Sequence, residues 1–394
     1  MSKLTRPLIA ASVLLPLAAL LGCGGDNLGT DVDDLATSVA VMDLDGNGRM
    51  DVVTAFDRSY SDGSPDNGFV STRLGQGTSG LSFGNPIRSS GGHNPGPIVA
   101  MDLDNDGHAD LVLCNASAPT LTLMYGSATT AGAFTAPVTL QLGGNRYAYA
   151  VAVADFNGDG KPDIAVAASG GSSVLLFLQN AGGGFTGVTP SAITVSGTPY
   201  SIAAAALSGG SQDLAVGLGT GQLAILKGNG DGTFQAESDY ACGTTPAAIK
   251  IADLDGANGP DIAVADYTAS SSVIIFLNNG SGGFGLGTAY PTGDAYAVDL
   301  ALGDLNGDGS MDIAVANSGA PGYPGSLAVL GNNGSGAFGP ATLYHGITGP
   351  LSVAIADIDG DGRNDLVSAD GTGVVHLQDP ANPGYFLAPV QLYY

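Results

Sequence analysis

One short phrase recurs along this chain, and its spacing constrains the fold more than any bulk property does. DLDGNGRMDVV starts at Asp43, DLDNDGHADLV at Asp102, DFNGDGKPDIAV at Asp155, DLDGANGPDIAV at Asp253, DLNGDGSMDIAV at Asp304 and DIDGDGRNDLV at Asp357. Between the third and the next of these lies ALSGGSQDLAV, starting at Ala206, with the same flanks, one residue fewer and none of the alternating acids. The seven starts are 59, 53, 51, 47, 51 and 53 residues apart. A period near 50 belongs to architectures that stack one supersecondary unit, the propellers and solenoids.

The third unit shows the internal grammar. YAYAVAVADF reads as strand A, the acidic phrase as a loop, DIAVAAS as strand B, SSVLLFLQN as strand C, NAGGG as a hairpin turn and FTGVTPSAITV as strand D. The turn returns as GNGDGTF, NNGSGGFG and NNGSGAFG, where Gly and Asn supply the positive φ of tight hairpins. Four antiparallel strands repeated seven times predict an all-β, seven-bladed β-propeller, because closing a ring removes the long edges of a flat sheet. The composition agrees. Of 36 acidic residues 35 are Asp, and 63 are Gly; Asp and Gly belong to turns, whereas Glu belongs to helices. A hydrophobic share of 44% against 12% charged residues is enough to bury a core.

The acidic phrase begins like an EF-hand calcium loop, yet Val166 stands where an EF-hand needs its bidentate Glu. Counting from the first Asp, side chains at positions one, three and five, the carbonyl of position seven and the carboxylate of position nine supply about six hard oxygens, a set that suits Ca²⁺. The expected ligands are Asp43, Asp45, Asn47, Arg49 and Asp51; Asp102, Asp104, Asp106, His108 and Asp110; Asp155, Asn157, Asp159, Lys161 and Asp163; Asp304, Asn306, Asp308, Ser310 and Asp312; and Asp357, Asp359, Asp361, Arg363 and Asp365. Residues at position seven serve through their carbonyls. The fifth phrase offers Asp253, Asp255 and Asp261 but has Ala257 at position five and Asn258 in place of Gly. The fourth is expected to be metal-free. Of the 36 acidic residues, 20 lie in these loops, and without a cation they would repel one another. About five structural Ca²⁺ ions are expected.

In register, D-x-[DN]-x-D-G-x-x-D-[IL]-[AV]-[VA] followed by N-G-x-G-x-F resembles the FG-GAP/VCBS repeat over residues 37–394. That repeat builds the propeller of integrin α subunits and of many bacterial surface proteins, so the resemblance implies a binding or adhesion role. Ahead of it, Lys3 and Arg6 precede an apolar run over residues 8–20, too short to span a bilayer as a helix. Leu20-Leu21-Gly22-Cys23 resembles a bacterial lipobox, which implies a signal peptide over residues 1–22, acylation of Cys23, a tether over residues 23–36 and a membrane anchor. Gly24, in place of Asp, implies the outer membrane of the cell envelope. Cys114 and Cys242, placed in repeats two and five, are expected to stay unpaired.

A net charge of −25 excludes nucleic acid as a partner. Loops A–B and C–D share one face of a propeller, so the opposite face is left for recognition. There the D–A loops carry His93, Arg146, Tyr147, Tyr200, Tyr296 and His345, and the B–C loops include an insertion over residues 57–68 and PGYPG over 321–325. Exposed aromatic and charged residues on a rigid scaffold suit binding. The reading is a monomeric, non-catalytic adhesion or scaffold module, its partner an envelope or extracellular protein or glycan. The alternative is a lectin, disfavoured by the absence of Trp. A calcium-dependent polysaccharide lyase is less supported, since no catalytic constellation emerges from four His and from acids already used in the loops.

Overall fold

The computed structural model describes residues 33–59, 68–77 and 80–392, and these described residues contain no helix and form seven four-stranded antiparallel sheets. Cys23, the signal segment and residues 60–67 of the first B–C insertion lie outside the described residues. Each sheet takes its four strands from one stretch of sequence, in the order A-B-C-D. The third blade is representative: β9 (Ala148–Ala154), β10 (Asp163–Ala168), β11 (Ser173–Phe177) and β12 (Ser191–Thr194). Strand A of the first blade, β1 (Asp33–Met42), starts four residues inside the segment expected to be tether.

Burial explains the sequence pattern strand by strand. Strands B such as β10 are buried at every position, because neighbouring blades cover both faces of each sheet. They therefore read as continuous apolar runs and not as alternations. Strands A, rich in Ala and Val, line an axial channel of about 510 Å³ whose charged lining residues are Lys250 and Asp299. Strands D such as β12 are largely exposed at the rim.

The core is a ring of seven interblade clusters, one for each pair of successive blades. Between blades two and three, for example, Leu103, Leu121 and Leu123 pack on Ile164, Leu175 and Phe177. The Phe of the hairpin turn meets a strand-D tyrosine of the preceding blade edge to face. Phe284 meets Tyr240, Phe338 meets Tyr290 and Phe386 meets Tyr344, with centroids 5.3–5.8 Å apart. Cys114 and Cys242 are buried and unpaired, and burial pushes both thiols up to about 12. Cys242 follows strand D of the fourth blade, β16 (Ser238–Ala241), so its assignment to the fifth repeat is corrected.

The ring closes without a shared strand. Blades one and seven meet through Ala36, Val39, Val52 and Phe56 against Ile358, Val367 and Ala369. Among the described residues a backbone bond, Ala36 N–H to Gly371 O at 3.1 Å, crosses the same seam. Arg49 reinforces it: its buried guanidinium donates to Gly80 O at 3.1 Å and to Ile358 O at 3.4 Å. It also lies against Gly360, where any Cβ would occupy the same space. Removing the guanidinium leaves the buried Ile358 carbonyl without this donor, at about 1–3 kcal/mol, while the Gly80 carbonyl is exposed to water. Arg49→Ala should therefore lower the urea midpoint of unfolding by a corresponding amount, and an unchanged midpoint would remove Arg49 from the closure.

Candidate functional site

The acidic loops share one backbone conformation, built from Asp side chains and left-handed residues. Asp155 Oδ1 accepts the N–H of Gly158 and Asp159 and its Oδ2 that of Gly160, at 2.7–3.2 Å. Asp43, Asp102, Asp304 and Asp357 accept from their own loops in the same way. Position three accepts the N–H of position five through Asp45, Asp104, Asn157, Asp255, Asn306 and Asp359. Position five accepts that of position seven through Asn47, Asp106, Asp159, Asp308 and Asp361. The fourth and sixth positions of each loop are left-handed, and the fifth loop adds Gly259 (φ 92°) at position seven. Asn105 (φ 60°) and Asn258 (φ 63°) take the fourth and sixth places where Gly is missing, as Asn tolerates that region.

Position nine does something the sequence did not reveal. Asp163 is fully buried; its Oδ2 accepts Phe156 N–H at 3.0 Å and its Oδ1 accepts Gln179 N–H at 2.8 Å. The same double acceptance recurs at Asp51, Asp110, Asp261, Asp312 and Asp365. It recurs too at Asp213 of the fourth blade, whose loop lacks the acidic alternation. This carboxylate latches the A–B loop to the entrance of the C–D hairpin, with or without a cation. Beyond the latch, Gln179, Asn278 and Asn332 donate to the carbonyls of Leu103, Leu207 and Leu254 in the preceding blade, at 2.8–2.9 Å. Gln378 reaches Leu305 likewise.

The donor set fits a hard cation. Asp43, Asp45 and Asp51 bring one oxygen each to within 4.8 Å of one another, as do Asp102, Asp104 and Asp110, Asp253, Asp255 and Asp261, and Asp357, Asp359 and Asp361. Two oxygens bound to one Ca²⁺ at about 2.3–2.6 Å lie at most about 5.2 Å apart, so this spacing suits a single ion. The loops of Asp155 and Asp304 place Asn157 and Asn306 at position three, so fewer acids meet there. At position seven, Lys161 sits 3.6 Å from Asp159 and Arg363 pairs with Asp361, while Arg49 leaves its loop for the ring seam. The fourth loop offers only Asp213, whose Oδ2 also accepts Ser208 Oγ at 2.8 Å.

Electrostatics point the same way. Burial pushes Asp51, Asp110 and Asp365 up to about 6, with the neighbouring carboxylates adding to it. Asp163, Asp261 and Asp312 are raised for the same reasons. Asp104 and Asp359 are raised by burial and by the next acid in the loop, with Arg49 acting against the shift at Asp359.

On the opposite face, strands A and the loops beside them form a pocket of about 180 Å³ at the mouth of the channel. Tyr147, Tyr149, Tyr200 and Tyr267 line it, together with Asn94, Pro97 and Leu351, and none of its lining residues is charged. Tyr149 and Tyr200 meet edge to face at 5.5 Å, and Tyr296 packs on Tyr267 at 4.9 Å. Of the expected binding residues, Tyr147 and Tyr200 thus come together, with Tyr296 behind Tyr267. Arg146, His93 and His345 do not line the pocket, and both histidines are exposed. Tyr149 and Tyr267 had not been singled out. Tyr149 could have been, standing two residues from Tyr147 on the same side of strand A.

Two outcomes follow. Asp213→Ala strands the N–H groups of Ser208 and Gly228 at about 1–3 kcal/mol each, so urea unfolding should show that loss equally with calcium or with chelator. In chelator, the raised position-nine carboxyls hold their protons more tightly in the folded than in the unfolded chain. For Asp51, Asp110 and Asp365 that contribution is full below the ordinary value of 3.8 and is lost as pH rises through about 6. The melting temperature should therefore fall by several degrees between pH 5 and pH 7.5, and a rise over that range would contradict the assignment.

The FG-GAP-like repeat family matches residues 43–113, 102–166, 253–315 and 304–368, and the FG-GAP repeat matches residues 147–187. No curated protein matches the chain in sequence. Among solved structures, the BP39L lectin from Burkholderia pseudomallei is similar at a TM-score of 0.67 and 13% identity, covering 92% of this chain and 99% of its own. BBS1N, solved in complex with ARL6DN, gives a TM-score of 0.56 at 13% identity, over 89% of this chain and 94% of that one. A protein from Lactobacillus plantarum gives 0.56 at 15% identity, over 80% and 86%. At such identities the likeness speaks for the fold. With the repeat matched over more than half of its length and the same phrase set between strands A and B of six blades, the chain belongs to the FG-GAP-like repeat family.

Proposed function

We propose that the chain is a non-catalytic binding module, stiffened by calcium on one face of the ring and open to a partner on the other. The carrying observation is the division of labour between the faces. Acid clusters sit in a shared loop conformation on the A–B side, while an uncharged aromatic pocket opens on the B–C side. In the calcium reading, positions one, three and five hold the ion, with one oxygen of position nine nearby. The ion would screen carboxylates that otherwise repel one another. Lipidation of Cys23, and with it placement at the outer membrane, belongs to the same proposal and rests on the leader sequence.

Extracellular sites of this kind bind at about 10⁻⁴–10⁻³ M. At about 1 mM calcium a site of about 0.1 mM adds roughly 1.4 kcal/mol. Several such sites weigh against a domain stability of roughly 5–15 kcal/mol. Excess chelator should lower the melting temperature and calcium should restore it; a melting curve indifferent to both would remove calcium from the account. For the partner, wild-type protein and Tyr200→Ala should be compared in pull-downs from envelope extracts. A partner retained by the wild type and lost by the variant is expected. Equal recovery would move the binding site elsewhere.

A further inference from the structure

Resting on the reading of the B–C side as the binding face, we propose that the tyrosine-lined mouth receives one terminal pyranose residue of an uncharged glycan. Charge makes the first selection. The chain carries −25, yet the pocket lining holds no charged side chain. A neutral ligand loses nothing on entering, whereas an anionic sugar meets the repulsive field of the whole ring.

Surface chemistry makes the second. Four tyrosines line the pocket with Asn94 beside them, residue types that combine ring surface with hydroxyl and amide groups. A ligand that matches this must have a flat C–H face and a rim of hydroxyls, which is the description of a pyranose. Burial pushes Tyr267 up to about 12 and raises Tyr149, so both phenols stay neutral and can donate as well as accept. The volume of about 180 Å³ falls below the roughly 300–1,000 Å³ of drug-sized sites. One ring fits and the rest of a glycan stays in solvent.

The rings are also set in advance. Tyr200 lies over Gly219, where a Cβ would come within 3.0 Å of three of its ring-end atoms, and Tyr149 braces it edge-on. Tyr296 has φ 62°, held by its N–H to Thr268 O at 2.8 Å and by its carbonyl accepting Ser318 N–H at 3.0 Å. For so bulky a residue this is a strained conformation, of the kind found at ligand clamps. It turns the Tyr296 ring onto Tyr267. Asn94, on the pocket wall, is left-handed too, at φ 46°. Rings fixed before binding cost the ligand little ordering entropy.

The test uses the folded, calcium-loaded protein and the methyl glycosides of galactose, glucose, mannose and N-acetylglucosamine, with methyl glucuronide as the anionic probe. Tyrosine-ring NMR resonances report the site, and the chain has no Trp to obscure tyrosine emission as a second readout. At least one neutral glycoside should shift Tyr147, Tyr149, Tyr200 or Tyr267 and leave Tyr240, Tyr290 and Tyr344, which pack under the hairpins of the other face, unmoved. Tyr200→Ala should weaken that binding tenfold or more, and the glucuronide should not bind. The proposal is overturned if no neutral glycoside shifts the pocket rings, if Tyr200→Ala binds equally well, or if the glucuronide binds as tightly. Should Tyr200→Ala not fold, the wild-type resonance map decides. An envelope partner lost by Tyr200→Ala while no glycoside binds would overturn the glycan and keep the binding face.

Discussion

Everything in this ring hangs on a buried carboxylate that accepts two backbone N–H groups. At position nine of each A–B loop, an Asp opens strand B, points inward and joins the loop to the entrance of the C–D hairpin. Two otherwise orphaned donors are satisfied by one charged acceptor, an arrangement about twice as strong as neutral pairing. Once the hairpin entrance is fixed, its amide side chain and its Phe reach the preceding blade at a set height. The latch therefore works on two scales, within the blade and between blades.

A propeller must also close, and many folds of repeated units would leave two sticky ends. Here the first and seventh blades face each other with an apolar cluster, a backbone bond and the Arg49 guanidinium. Arg49 donates to Ile358 O, the loop-position-two carbonyl that Leu103, Leu207 and Leu254 present to amide side chains elsewhere. The long side chain does at the seam what Gln and Asn do inside the ring. Packing outweighs hydrogen bonding in this closure, since burial acts over a whole blade face.

Much of this was legible in the sequence, because the repeat is periodic and its residue types have narrow uses. The blade count, the strand order and the expected acid loops follow from spacing and from Asp-Gly chemistry. The latch was hidden because the same Asp is what either an expected ligand or a hydrogen-bond acceptor would require at that position. Asp163 satisfies the pattern of a metal site whichever job it does. Asp213 was the clue, an Asp kept in a loop stripped of its other acids. Likewise Asn105 signalled a left-handed fourth position only once its equivalents were seen to be Gly46 and Gly158. The tyrosine pocket was half visible. Tyr147 lies on a D–A loop, but Tyr200, expected on one as well, falls in strand A of the fourth blade, β13 (Pro199–Ala205), and Tyr267 begins a B–C loop, so only the ring brings residues so distant in sequence onto one axis. His93 and His345 share that face yet do not line the pocket.

The latch stands with or without a cation, and the proposed cation site is a second job of the same loop. Native mass spectrometry of the protein equilibrated with calcium counts bound ions directly. Several ions per chain are expected, the same number in Asp213→Ala, and one fewer in Asp102→Ala, where a first-position oxygen is removed from one acid cluster and the Asp110 latch is kept. A chain that holds no calcium, or one whose count falls on losing Asp213, would contradict this division of work.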